Sequence, residues 1–154
     1  MREVVSLAVV RLRGSVKKRR EVLDTLRMLG LTRVNHCVLL EDTPSYRGML
    51  QKVKDFVTWG EVEPSTVEVL LRKRGELEGG KTLTEDSVKD LGYRSISELA
   101  RALCEGKSRV KGLKKVFRLH PPRKGLISIK HPFGHGGDLG YRGKAINDLL
   151  LRMV

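Results

Sequence analysis

The run Lys17-Lys18-Arg19-Arg20 places four cations in succession. Ser15 is a candidate N-cap, and Val22, Leu23, Leu26 and Leu29 follow at helical spacing, so the run falls in the first turn of a predicted helix. Cations there oppose the positive end of the helix dipole by roughly 0.3–1 kcal/mol each. Stability alone favours Asp or Glu at such positions, and a local rule broken this way is expected at functional sites. Free helix N–H groups beside four cations suit phosphate. A second group is Asp42-Thr43-Pro44-Ser45-Tyr46-Arg47-Gly48-Met49, another helix start with Arg47 in its first turn. Gly48, a poor helix former, implies either close approach of another backbone such as RNA or close packing against a sheet.

The third group is the glycine-rich stretch of residues 132–144, PFGHGGDLGYRGK. It reads as a flexible loop with His135, Tyr141, Arg142 and Lys144 placed to stack on or pair with nucleotides. Enzyme readings fail on spacing. A phosphate-binding loop needs Gly and Ser or Thr where Asp138 and Ala145 stand, and the dinucleotide pattern begun at Gly134 meets Leu139 in place of its third glycine. His131 and His135 lack the further ligands of a metal site. No cofactor, small-molecule substrate or catalytic group is expected. Aromatic residues are only 5% of the chain and the aromatic signature of an RRM sheet is absent, so any RNA contact rests mainly on phosphate, shape and loops.

The charge pattern agrees. The 154 residues carry a net +13. Residues 1–60 hold 12 Lys and Arg against 6 Asp and Glu, residues 61–105 hold 7 against 10, and residues 106–154 hold 12 against 2. Basic ends around an acidic middle describe a surface polarised toward a polyanion. Anionic membrane would call for a basic amphipathic helix with Trp on its apolar face, and the only Trp, Trp59, lies outside any such helix. No apolar run approaches the roughly 18 residues needed to span a bilayer, and the N-terminus lacks the pattern of a signal peptide. Cys37 and Cys104 read as two buried free thiols of a cytoplasmic protein.

Simple elements position these groups. Residues 4–12 are apolar on both alternating faces, as in a strand covered on both sides. The first helix ends at Gly30, and residues 34–41 form a second strand. Thr43 caps a second helix with Pro44 at its first position, and a third strand lies near residues 58–63. The expected fold is therefore mixed α/β: a β-α-β-α-β, ferredoxin-like, open-faced sandwich over residues 1–63. An extension over 64–154 follows. Its small helices at 65–105 have capping-box spacings beginning at Ser65, Thr82 and Ser95. A hairpin pairs 116–119 with 126–130 and carries Arg123 and Lys124 at its tip, and a C-terminal helix spans 144–153.

The first sixty residues, above all EDTPSYRGM at 41–49, resemble the ribosomal large-subunit protein family called "L thirty". The continuation, with Trp59-Gly60 and FGHGGDLGYRGKAINDLLLRM at 133–153, is similar to its longer archaeal form, counterpart of the eukaryotic "L seven". The resemblance covers nearly the whole chain. It implies a three-stranded sheet in order three-one-two with two packed helices, and a structural, non-enzymatic role on large-subunit rRNA beside neighbouring ribosomal proteins. It also implies RNA contacts at Arg13, Lys17, Lys18, Arg19, Arg20, Thr43, Arg47, Arg142 and Lys144. The alternative is an RNA-binding subunit of a non-ribosomal RNP. With about six to ten phosphate contacts from the basic ends, RNA affinity measured by filter binding should fall roughly 10³–10⁵-fold between about 50 and 200 mM salt. A nearly flat log–log plot would sink the electrostatic account.

Overall fold

The computed structural model describes residues 6–14, 19–105 and 112–154. Strand β1 (Ser6–Arg11) is buried along its whole length and forms the centre of the sheet. It pairs antiparallel with β2 (His36–Glu41) on one side and with β3 (Val57–Glu61) on the other, which realises the order three-one-two. Two short strands extend the edges. β4 (Val116–Arg118) runs antiparallel to β2, and β5 (Gly140–Tyr141) runs parallel to β3, giving the order β4-β2-β1-β3-β5.

The alternation of β1 divides the core. Leu7 and Val9 face α1 (Arg20–Leu29) and α2 (Pro44–Lys52), in one cluster with Leu26, Leu29, Leu50 and Val53. Ala8 and Val10 point the other way. They join Val67, Leu70 and Leu71 of α3 (Pro64–Arg74), Leu99 and Leu103 of α5 (Ile96–Cys104), and Leu149 and Leu150 of α6 (Ile146–Met153). The extension thus closes the sheet face that a sixty-residue sandwich leaves open. Cys37 and Cys104 are buried free thiols, and burial pushes Cys37 up to about 12.

Several local signals act as expected. Thr43 Oγ1 accepts from the Tyr46 N–H with Pro44 at the first helical position, Gly30 ends α1 in the left-handed conformation, and Ser95 caps α5. Others do not. Helix α3 starts at Pro64 after Glu63, so Ser65 is no cap; Thr84, not Thr82, caps α4 (Glu85–Asp90). Helix α1 begins only at Arg20, with Arg19 as its extended N-cap residue and Glu21 in its first turn. The four-cation first turn is therefore not formed: Arg20 and Glu21 open the helix, and Glu21 sits where the dipole prefers an acidic residue. Lys17 and Lys18 lie outside the described residues.

The 116–119/126–130 hairpin does not form either. Val116–Arg118 pairs with the free edge of β2. The Ile127 and Ser128 N–H groups donate to the Asp138 carboxylate (2.5 and 2.9 Å) in place of a ladder partner. Arg123 and Lys124 sit exposed in a turn secured to α6, where Arg152 Nη1 donates to the carbonyls of Arg123 and Gly125.

A very tight approach in the fold is between β3 and the short 3-10 turn Gly143–Ala145. A Cβ at Gly60 would stand 1.8 Å from the Gly143 carbonyl oxygen. Gly60→Ala should therefore destabilise the protein by about 1–3 kcal/mol or more in urea unfolding. Gly14→Ala, where a Cβ meets nothing within 4 Å, is the control; equal stability of the two variants would refute this packing account.

Candidate nucleic-acid interface

The glycine-rich stretch is an ordered support, not a flexible loop. Gly137 packs so closely on the His131 carbonyl that a Cβ would lie 1.8 Å from its oxygen. Asp138 is buried, and its carboxylate gathers the Ile127 and Ser128 N–H groups and the Arg142 guanidinium at 3.2 Å. Arg142 in turn donates from Nε to Thr58 Oγ1 at 2.7 Å and from Nη2 to the Asp138 carbonyl at 2.6 Å. Its guanidinium carbon lies 4.9 Å from the centre of the Phe133 ring. Burial pulls the Arg142 pKa down, opposed by Asp138. Arg142, expected among the RNA contacts, is thus corrected: its side chain is 3% exposed and fastens the loop to β3.

That fastening presents an open edge. Trp59 of β3 and Tyr141 of β5 are register partners with ring centroids 6.4 Å apart at 52°. Phe133 and Tyr141 are 41% and 56% exposed. Two adjoining clefts of about 370 and 350 Å³ share Gln51, Trp59 and Tyr141; the first reaches Asp42, Arg47 and Glu61, the second Lys54, Phe133 and His135. Three of the seven aromatic residues thus meet among the cations Arg47 and Lys54 and the carboxylates Asp42, Asp55 and Glu61, an arrangement able to stack unpaired bases while the two cations meet phosphate. Tyr141 Oη donates to Glu61 Oε1 at 2.5 Å, which raises the phenol pKa and fixes the ring. Arg47 Nη2 donates to Asp42 Oδ2 at 2.6 Å, and this partner holds the Asp42 carboxyl below the usual range.

The remaining expected residues are scattered. His135 and Lys144 are exposed near this edge, and Thr43 spends its hydroxyl as the α2 cap. Arg13 is half-buried, donating to the Asp55 carbonyl at 3.3 Å with its guanidinium 5.4 Å from the Phe56 ring centre. Arg19 and Arg20 are exposed at the start of α1, and Arg20 lies 3.8 Å from Asp24. Among the described residues no group of three or more His, Cys, Asp and Glu side chains is placed to hold a metal ion, and no helix is long and apolar enough to cross a membrane. Trp59 and Phe133 are not among the residues expected from the sequence to form the site, and the structure brings both beside Tyr141. Only the 133–141 spacing and the lone Trp in a strand hinted at their meeting.

Fold and edge together define a basic α/β protein with a split β-α-β centre and an aromatic sheet edge flanked by charged side chains of both signs. Residues 7–57 match the family model of ribosomal protein L30p/L7e. A large ribosomal subunit protein uL30 from Methanopyrus kandleri is 58% identical over 93% of this chain and all of its own length. Proteins of the same name from Methanoculleus marisnigri and Archaeoglobus fulgidus are 53% and 52% identical, each over 95% of this chain and 98% of their own. The chain belongs to the ribosomal protein L30p/L7e family, in the uL30 form found in these archaea.

Gly48 of α2 is exposed beside Arg47, and a Cβ there would meet nothing within 4 Å, which removes the close-packing explanation. Gly48→Ala should therefore stabilise the free protein by about 1 kcal/mol in urea unfolding while weakening RNA binding. Unchanged binding would show that no backbone approaches closely there.

Proposed function

We propose that the chain is a structural constituent of the large ribosomal subunit, not an enzyme, which binds folded rRNA and locks it in place on the cytoplasmic ribosome. The observation that carries this reading is the match, over nearly the whole chain, to proteins named large ribosomal subunit protein uL30. The β3–β5 edge supports a way of binding. Trp59, Phe133 and Tyr141 offer faces for unstacked bases, Arg47, Lys54 and His135 beside them can donate to phosphate, and Lys144 is exposed on the neighbouring turn. Arg13, Arg19, Arg20, Arg123 and Lys124 add further contacts to RNA, and Lys17 and Lys18, outside the described residues, are expected to join them. Neighbouring ribosomal proteins are the other partners. The alternative of a non-ribosomal RNP subunit draws on no residue that the ribosomal reading does not already use.

Tagged protein should co-sediment with large subunits in a high-magnesium sucrose gradient. In filter binding to Methanopyrus kandleri large-subunit rRNA transcribed in vitro, Tyr141→Ala should lose roughly 5- to 150-fold in affinity, the range of one base–aromatic stack. Tyr141→Phe keeps the ring face and should bind close to the parent. Equal affinity of the Ala variant would reject stacking at this edge, and absence from the large-subunit fractions would reject the ribosomal role.

A further inference from the structure

Across the sheet from Tyr141, the β2–β4 edge carries a second cleft of about 330 Å³, lined by Thr32, Arg33, His36, Lys114, Val116 and Arg118. Two chain segments converge there, residues 30–36 and 114–118. The turn after α1 brings Arg33 and His36, residue 114 precedes β4, and Arg118 lies opposite His36 in the β2–β4 register. Asn35 holds the turn in the left-handed region at φ 69°, a conformation rare outside glycine, with its N–H donating to the Arg11 carbonyl at 2.8 Å and its own carbonyl accepting from the Leu119 N–H at 3.1 Å. The His36 Nδ1 is buried without a hydrogen-bond partner, which is uncommon for a buried polar atom. Burial and the cations Arg118, Arg33, Lys114 and Arg11 all push its imidazole below the ordinary pKa, so the ring is neutral near pH 7. Among the described residues one acidic side chain reaches the cations: Glu76 Oε2 lies 3.4 Å from Lys114 Nζ and 3.8 Å from Arg118 Nη2.

We propose that this cleft is a second RNA contact, which seats a backbone phosphate between Arg33, Lys114 and Arg118 with the His36 ring donating to a phosphate oxygen. The inference rests on the RNA-binding reading above and adds to it a site on the opposite edge. Three cations that converge from two segments on one small cleft suit a compact tetrahedral anion better than the extended face of an acidic protein. The two edges stand about 19 Å apart, four strand spacings, so they meet different RNA strands and the protein bridges them. A phosphate beside the ring favours its protonated form, so binding at this site takes up a proton. Affinity therefore rises as pH falls through the ordinary histidine range.

The full-length protein and in-vitro-transcribed Methanopyrus kandleri large-subunit rRNA provide the test. Arg33 is exposed and Arg118 is 62% exposed, so R33Q/R118Q should fold like the parent in a circular-dichroism melt. It should bind rRNA at least tenfold more weakly, with a salt slope smaller by about two units. His36→Gln should flatten the gain in affinity between about pH 7.5 and 5.5 that the parent shows. Glu76→Gln, which releases Lys114 and Arg118, should bind more tightly. A parent that fails to bind rRNA defeats the RNA-binding reading itself. A parent that binds, with R33Q/R118Q matching its slope and His36→Gln its pH profile, overturns this inference alone. So does a His36 NMR response to inorganic phosphate alone when the R33Q/R118Q slope is unchanged, which marks a free-anion site. A photo-crosslinker at position 118 that labels protein, not rRNA, in assembled subunits also overturns it.

Discussion

The buried ion pair between Arg142 and Asp138 gives the β3–β5 edge its shape. An ion pair removed from water is tolerated only where the remaining donors and acceptors are satisfied, and here they are. Asp138 accepts from two backbone N–H groups as well as from Arg142, while Arg142 also donates to Thr58 Oγ1 and the Asp138 carbonyl. Thr58 Oγ1 then donates to the Gly140 carbonyl, and the Arg142 N–H donates to the Trp59 carbonyl, so the same knot seats β5 against β3. Phe133 and Tyr141 owe their positions to it. A segment rich in glycine thereby becomes a rigid platform, with the entropy cost of ordering it offset by a closed set of charge-assisted bonds.

Covering both faces of the sheet has a second consequence. With β1 buried from Ser6 to Arg11 and helices on either side, a polar partner reaches the sheet only at its edges and around the helix ends. Both edges end in very short strands, three residues in β4 and two in β5. Short strands protect an edge from pairing with another chain, and they free the flanking residues to carry charge and aromatic surface. Arg47 and Lys54 lie at one edge and Arg33, Lys114 and Arg118 at the other, while the acidic middle supplies α3–α5 and part of the core that supports them.

Arginine illustrates how little residue type says about location. Arg47 is exposed and held by Asp42, Arg142 is sealed inside, and Arg11 is buried at the end of β1, where it donates to the Arg13 and Leu31 carbonyls at 2.8 and 2.9 Å. Arg11 and Arg142 serve as braces because a planar guanidinium can bind several fixed acceptors at once. A sum of basic residues therefore overstates the surface available to phosphate.

By itself the sequence determined the order β-α-β-α-β, the cap at Thr43, the stop at Gly30, the two-sided burial of β1, the buried thiols and the basic ends. Each of these follows from alternation, helical periodicity or hydrogen bonds within about four residues, all legible along the chain. Tertiary structure alone decided that residues 116–118 join β2 and not a hairpin, that α1 starts only at the last residue of the basic run, and that Arg142 turns inward. It also decided that Trp59 meets Tyr141 and that His36 lies among four cations. These outcomes depend on partners remote in sequence, such as Thr58 for Arg142, 84 residues away, and Arg118 for His36. Whether a cation ends as a brace or a contact depends on which acceptors the fold brings within reach, and no local pattern encodes that.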